Sequence, residues 1–260
     1  MKIALMDSGI GLLAAAAALR KLRPDADLVL SSDPASMPWG PRTTEEVTAL
    51  AVGCARAAAA LEPDALVIAC NTASVHALAA LRAELEPGLP VIGTVPAIKP
   101  AAALGGPVAI WATPATTGSA YQRGLIRDFG GAASVTEVAC PGLADAVEHG
   151  DDDAIEAAVT DAAARTPAGT AAIVLGCTHY ELVADRIRAA VAPTAAAQLT
   201  LHGSAGAVAA QALRRIGDPA RRGTGTLTVL HAGRPAALPT AATRYPQGRT
   251  LAAPAPLPAV

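Results

Sequence analysis

The sequence predicts an α/β fold of two similar lobes, each a mostly parallel sheet flanked by helices. Three observations predict it. Short apolar runs of strand character alternate with Ala-rich stretches of helical length, and the alternation restarts midway along the 260 residues. Two of those runs end in matching cysteine turns, Cys70-Asn71-Thr72 and Cys177-Thr178-His179.

The elements follow in order. Residues 2–6 are a buried-strand pattern, and Asp7-Ser8-Gly9-Ile10-Gly11 turns into a helix over about 12–22. A second strand covers 27–31, and the loop 34–41 holds three prolines and Gly40, which forbid regular structure. Thr43 or Thr44 with Glu46 starts a helix to about Leu61. Strand 65–69 delivers Cys70, a helix runs on to about Leu85, and 90–93 is a further strand. The pattern restarts with strand 107–112 and the polar turn Thr113-Pro114-Ala115-Thr116-Thr117 into a helix carrying Tyr121 and Gln122. Strand 134–139 ends at Cys140, the acidic stretch 148–153 starts a helix to about Ala164, and the next strand delivers Cys177. A helix over 181–191 and a strand over 198–201 follow, and then a helix from Ser204 to about Arg215. That last helix is expected to return to the first lobe, so lobe one comprises 1–95 plus about 205–260 and lobe two 96–204. Beyond Gly217, apart from a strand-like run at 226–230, alternating Pro, Ala and Gly read as a loosely ordered tail.

Composition narrows the function. Hydrophobic residues at 52% supply ample core, but aromatics at 2% offer no platform for stacking bases. A net charge of −2, with 20 basic and 22 acidic residues interspersed, makes no phosphate-binding patch. No nucleic acid, no membrane partner and no signal peptide are therefore expected, and the cytoplasm is the expected compartment. Four widely spread cysteines read as free thiols in a reducing setting.

Each matched cysteine sits where a strand hands over to a helix. In open parallel sheets that edge lines the ligand crevice, since strand-end side chains and the free N–H groups of helix starts both face it. A thiol with a pKa of about 8.5 keeps its proton at neutral pH yet surrenders it readily to a nearby base or helix start. Two thiols on opposite faces of one carbon exchange a proton by removing it on one side and returning it on the other. Asp7 and His179 lie close enough in sequence to assist. Ser8, Asn71, Thr72, Thr113, Thr116, Thr117 and Thr178 supply donors for carboxylates, so a small amino acid suits the site.

Cys54, inside an Ala-rich helix, and Cys140, before a proline, lack such donor-rich successors and read as packing residues. His76, His149, His202 and His231 read as structural or solvent-exposed. Cys177 and His179 do not have zinc spacing, and no metal site is expected. The turn from Gly9 through Gly11 to Ala14, with Asp33 downstream, imitates a dinucleotide fingerprint. Asp7 opposes that reading, because its charge at the strand end would repel a pyrophosphate. A non-catalytic binding protein, for a dinucleotide or a protein partner, stands as the alternative.

Taken together, residues 6–11, 69–74, 113–116 and 175–180 resemble the glutamate racemases of the aspartate/glutamate racemase superfamily, in a match spread over residues 1 to about 215. The resemblance implies two α/β lobes related by a pseudo-dyad, an active site in the cleft between them, and no cofactor, neither metal nor pyridoxal phosphate. It implies that Cys70 and Cys177 are the acid/base thiols, acting on the D- and L-enantiomer respectively, with Asp7 and His179 assisting. It further implies a substrate pocket lined by Ser8, Pro38, Gly40, Asn71, Thr72, Thr113, Thr116 and Thr178. A homodimer is expected, with D-glutamate supplied to peptidoglycan synthesis. Three positions depart from the family pattern: Leu12 replaces a glycine, Trp39 a tyrosine, and His202-Gly203-Ser204 an Asp-Ser-Gly. The same two-thiol chemistry on aspartate or another amino acid therefore stays open.

Overall fold

The computed structural model describes residues 1–217 and 222–253. In chain order its elements are β1 (Lys2–Asp7), α1 (Leu13–Leu22), β2 (Asp27–Ser32), α2 (Thr44–Ala59), β3 (Ala65–Ile68), α3 (Asn71–His76), α4 (Leu78–Leu85) and β4 (Val91–Gly93). There follow α5 (Ile98–Ala102), β5 (Val108–Ala112), α6 (Ala120–Phe129), β6 (Val135–Ala139), α7 (Leu143–His149), α8 (Asp152–Ala164), β7 (Ala172–Leu175), α9 (Ala184–Val191) and β8 (Thr200–His202). The last are α10 (Ala205–Ile216), β9 (Leu227–His231), β10 (Arg234–Ala236) and α11 (Pro246–Ala252). Two units result: Met1–Thr94 with the described residues from Ala205 onward, and Val95–Ser204.

In the first unit the sheet order is β10-β9-β2-β1-β3-β4, parallel except for the β10–β9 pair. Alternate residues of its central strands serve different faces, so both faces need cover. Ala4, Met6, Val29, Leu66 and Ile68 share an apolar cluster with Val47, Ala51, Cys54, Ala55 and Ala58 of α2. The intervening Ile3, Leu5, Leu28, Leu30 and Val67 are buried as well, and α1 packs against both α10 and α11, with α10 on β3 and β4. Small Ala side chains let these helices approach closely without aromatic filler. Thr43 and Glu46 form a reciprocal capping box that fixes the start of α2.

The second unit holds an all-parallel sheet in the order β6-β5-β7-β8. Its core joins Val108, Ile110, Ala112, Ala172 and Val174 to Ile98 and Ala101 of α5, with Leu125 and Ile126 of α6 packed against them. Trp111 is fully buried and donates its indole N–H to Thr166 Oγ1 at 2.9 Å, so the one polar atom of this large side chain is satisfied. The α/β class and the parallel sheets agree with the alternation read from the sequence.

Several expectations need correction. The strand-like run at 226–230 is β9, which extends the first sheet beside β2, but the segment after it is not a loose tail to 253: β10 pairs with β9, and α11 packs on α1. Asp27 anchors it, its Oδ1 accepting from the backbone and hydroxyl of both Thr224 and Thr226 at 2.7–3.2 Å. Residues 218–221 and 254–260 of the expected tail lie outside the described residues. The single helix expected after Cys70 is two, broken at Ala77, whose φ of −114° departs from helical geometry. The helix expected to begin within 148–153 is α8, capped by Asp151 accepting from Ala154 N–H, but it is preceded by an unexpected helix, α7, which left-handed Gly150 ends. The helix expected over 181–191 begins as a 3-10 segment at Thr178–Val183 before α9. The loop after β2 holds one 3-10 turn, Pro34–Ser36. Helix α5 carried too short a pattern to be read.

Candidate active site

In the first unit, β1 and β3 are hydrogen-bonded neighbours, with Met6 opposite Ile68 and Ala69 N–H donating to Met6 O at 2.8 Å. Asp7 and Cys70 therefore leave the sheet side by side at its carboxyl edge. Asp7 is fully buried, and its Oδ1 accepts from Ser8 N–H at 2.7 Å and from the Ser8 hydroxyl at 3.3 Å. Cys70 caps α3, its Sγ accepting from Ala73 N–H at 3.5 Å, which sets a donor against the sulfur when it carries charge. Asn71 and Thr72 occupy the first turn of α3, Asn71 buried and Thr72 half-buried.

The loop holding Pro38 and Gly40 leaves the same edge, because Ser32 at the end of β2 stands opposite Asp7. Pro38 is exposed and Gly40 half-buried. Trp39 between them turns inward, 2% exposed, into the same apolar cluster as Cys70, and its indole N–H donates to Ser36 Oγ at 2.7 Å. Leu12, the other departure in this unit, is also buried core.

In the second unit, Gly176 N–H donates to Trp111 O at 2.7 Å, so Cys177 emerges beside Thr113 at the carboxyl edge of β7 and β5. The two threonine hydroxyls of the following turn, Thr113 and Thr116, lie 3.1 Å apart, and Thr117 Oγ1 donates to Thr113 O at 3.0 Å. Thr178 and His179 are buried while Cys177 is half-buried. His179 Nδ1 lies 3.9 Å from Cys177 Sγ, and its Nε2 lies 2.9 Å from Glu148 Oε2. With Glu148 as a carboxylate, which can only accept, Nε2 carries the hydrogen and Nδ1 turns its lone pair to the thiol.

Glu148 was missed by sequence reasoning, which grouped it with Asp151, Asp152 and Asp153 as charges favouring a helix start. The signal that separates it is Gly150: a helix ending there leaves Glu148 on the last turn of α7, away from the start of α8.

The remaining cysteines behave as packing residues. Burial, with the charges of Asp33 and Asp7, pushes the Cys54 thiol up to about 12, and burial pushes Cys140 to about 12 as well. Tyr180 donates its hydroxyl to Cys140 O at 3.3 Å, and burial first, then the neighbouring thiols, raises its pKa well above the usual phenol value. It is a neutral brace behind Cys177.

Among the histidines set aside, His76 Nδ1 pairs with Thr44 Oγ1 at 2.9 Å, His149 Nδ1 with Asp145 O at 2.9 Å, and His202 Nε2 with Thr200 Oγ1 at 3.0 Å. No helix among the described residues is long and apolar enough to cross a membrane.

Each unit thus presents a thiol at a carboxyl strand end, flanked by a carboxylate or an imidazole and by short hydroxyl side chains, the parts of an acid–base enzyme. The model of the Asp/Glu/Hydantoin racemase family matches residues 12–213. The chain is 40% identical over 192 residues to the glutamate racemase of Roseiflexus sp. (strain RS-1), spanning 72% of this chain and 70% of that one. It is 36% identical over 221 residues to the glutamate racemase of Herpetosiphon aurantiacus, spanning 82% and 83%. Escherichia coli glutamate racemase, whose structure is in complex with L-glutamate and the activator UDP-MurNAc-Ala, superposes with a TM-score of 0.79 at 26% identity, covering 94% of this chain and 91% of that one. The chain belongs to the Asp/Glu/Hydantoin racemase family and is an enzyme of the isomerase class.

Proposed function

We propose that this enzyme interconverts L- and D-glutamate without a cofactor, by proton transfer between two thiols at the α-carbon. The observation that carries the reading is the matched placement of Cys70 and Cys177, each following a parallel strand beside helix-start donors. Similarity to glutamate racemases over 70–83% of their lengths supplies the substrate. From L-glutamate, the Cys177 thiolate takes the α-proton and the bonding pair delocalises into the adjacent carboxylate. The Cys70 thiol then returns a proton to the opposite face, leaving Cys70 as thiolate and Cys177 as thiol. The reverse direction exchanges their roles.

Asp7 and His179 move or hold protons at the two sulfurs, and Glu148 orients His179. Ser8, Pro38, Gly40, Asn71, Thr72, Thr113, Thr116 and Thr178 bind the carboxylates and ammonium of the substrate. The product serves peptidoglycan synthesis, and the enzyme works in the cytoplasm as a homodimer. Turnover of either enantiomer in deuterated water tests the reading. Product carrying α-deuterium, with both directions reaching the same racemic mixture, is the expected result, and racemisation that retains α-protium in the product would contradict it.

A second reading keeps the chemistry and changes the substrate. Trp39 lies where the family pattern has a tyrosine, but its one donor is committed to Ser36 and its ring to the core, so it offers substrate no hydroxyl. A panel of amino acids followed by loss of optical rotation separates the two readings: aspartate or another amino acid turned over faster than glutamate favours this one.

A further inference from the structure

Gln122 stands in the first turn of α6, 2% exposed, and neither its Nε2 nor its Oε1 has a hydrogen-bond partner among the described residues. Its backbone is satisfied, the N–H donating to Ser119 Oγ at 3.1 Å. A primary amide carries two donors and an acceptor, and burying all of them unpaired is rare because each forfeits its bonds to water. Leucine would fill a similar volume at no such cost, so packing does not explain the residue.

Its position offers an explanation. A helix that follows a parallel strand runs back along the sheet, which sets the first turn of α6 level with the carboxyl end of β5, where Ala112 gives way to Thr113. Gln122, Leu125 and Ile126, three and four apart, share one helix face. Leu125 and Ile126 pack on the cluster of Ile110, Ala112 and Val174. Gln122 is therefore one turn beyond that core, toward the edge from which Thr113, Thr116 and Cys177 emerge. The nearby hydroxyls do not satisfy it, since Thr113 and Thr116 pair with each other and Thr117 bonds back to Thr113.

We propose that Gln122 is a substrate-recognition residue of the second unit. Its Nε2 donates to a carboxylate oxygen of the amino-acid substrate, and its Oε1 accepts from the substrate's ammonium group. A zwitterion presents that acceptor and that donor on one carbon, complementary to the two ends of an amide. The assignment rests on the reading of the chain as an amino-acid racemase.

Gln122→Leu and Gln122→Glu in the full chain test it. Steady-state racemisation of both enantiomers would be measured, together with the rise in Tm produced by saturating D-glutamate. Leucine should raise KM at least tenfold and diminish the ligand-induced rise, while the ligand-free Tm stays level or increases as two unpaired groups disappear. Glutamate, nearly isosteric but facing carboxylate with carboxylate, should raise KM further. A KM within twofold of wild type in both variants, with an unchanged ligand-induced rise, assigns the amide to a trapped water and overturns the proposal. Should the leucine variant fail to fold, the glutamate variant decides alone on the same criterion. Wild-type protein that exchanges no α-proton with any amino acid overturns the functional reading, and this assignment with it.

Discussion

Glu148 Oε2 lies 2.9 Å from His179 Nε2, with both side chains withdrawn from solvent, at 9% and 3% exposure. This pair turns an otherwise ambiguous imidazole into a directed one. A carboxylate on Nε2 fixes which ring nitrogen is left for Cys177.

Glu148→Gln keeps the shape but removes the charge. We expect kcat to fall about tenfold to a hundredfold, in keeping with the roughly 1.5–3 kcal/mol of a hydrogen bond to a charged group, while KM changes little. Unaltered kcat would leave His179 oriented by the fold alone.

The four thiols should separate by reactivity. Cys54 and Cys140, with pKa values pushed up to about 12 by burial, carry almost no thiolate at pH 8 and lie under the core. Cys177, half-buried at a strand end, is the most open of the four. Limited alkylation of the native protein followed by peptide mass analysis should label Cys177 first, with D-glutamate slowing that reaction. Early labelling of Cys54 or Cys140 would contradict this order.

Acid should loosen the C-terminal strand. Burial alone would raise the Asp27 pKa, but hydrogen bonds from Thr226 and Thr224 outweigh it and hold the group below the usual carboxylate range. A carboxylate depressed in the folded state stabilises the fold above its unfolded value of about 4 and loses that contribution as pH falls through the folded value. Asp27→Asn should therefore lower Tm at neutral pH and flatten the decline of Tm on acidification below about pH 4. Parallel Tm curves for variant and wild type across that range would sink the assignment.

The alternation of apolar runs and Ala-rich stretches made the two sheets legible, because buried parallel strands need continuous apolar runs and leave little else for them to be. The thiol turns were legible too, since a strand ending in Cys-Asn-Thr or Cys-Thr-His departs sharply from its apolar run. Apart from the strand at β9, the C-terminal elements were not, because their order comes from partners distant in sequence. Asp27 gathers Thr224 and Thr226, and the Arg20 guanidinium donates to Pro24 O, Ala26 O and Thr226 O. No local pattern announces such bonds.

The departure at Gly203 likewise gains its reason only in three dimensions. Glu181 Oε1 accepts from Ser204 N–H at 2.7 Å and from Ser204 Oγ at 2.9 Å, and a Cβ on residue 203 would run into the Glu181 carboxylate that these bonds hold in place. Glu148 and Gln122 escaped for the same reason: each gains meaning from what surrounds it.

The central claim is that both sulfurs take part in every turnover, one removing the α-proton and the other returning it. The most direct measurement is racemisation by Cys70→Ala and Cys177→Ala, each first shown to unfold cooperatively near the wild-type Tm. We expect both to lose racemisation of glutamate in either direction. Either folded variant retaining turnover near the wild-type rate would contradict the account.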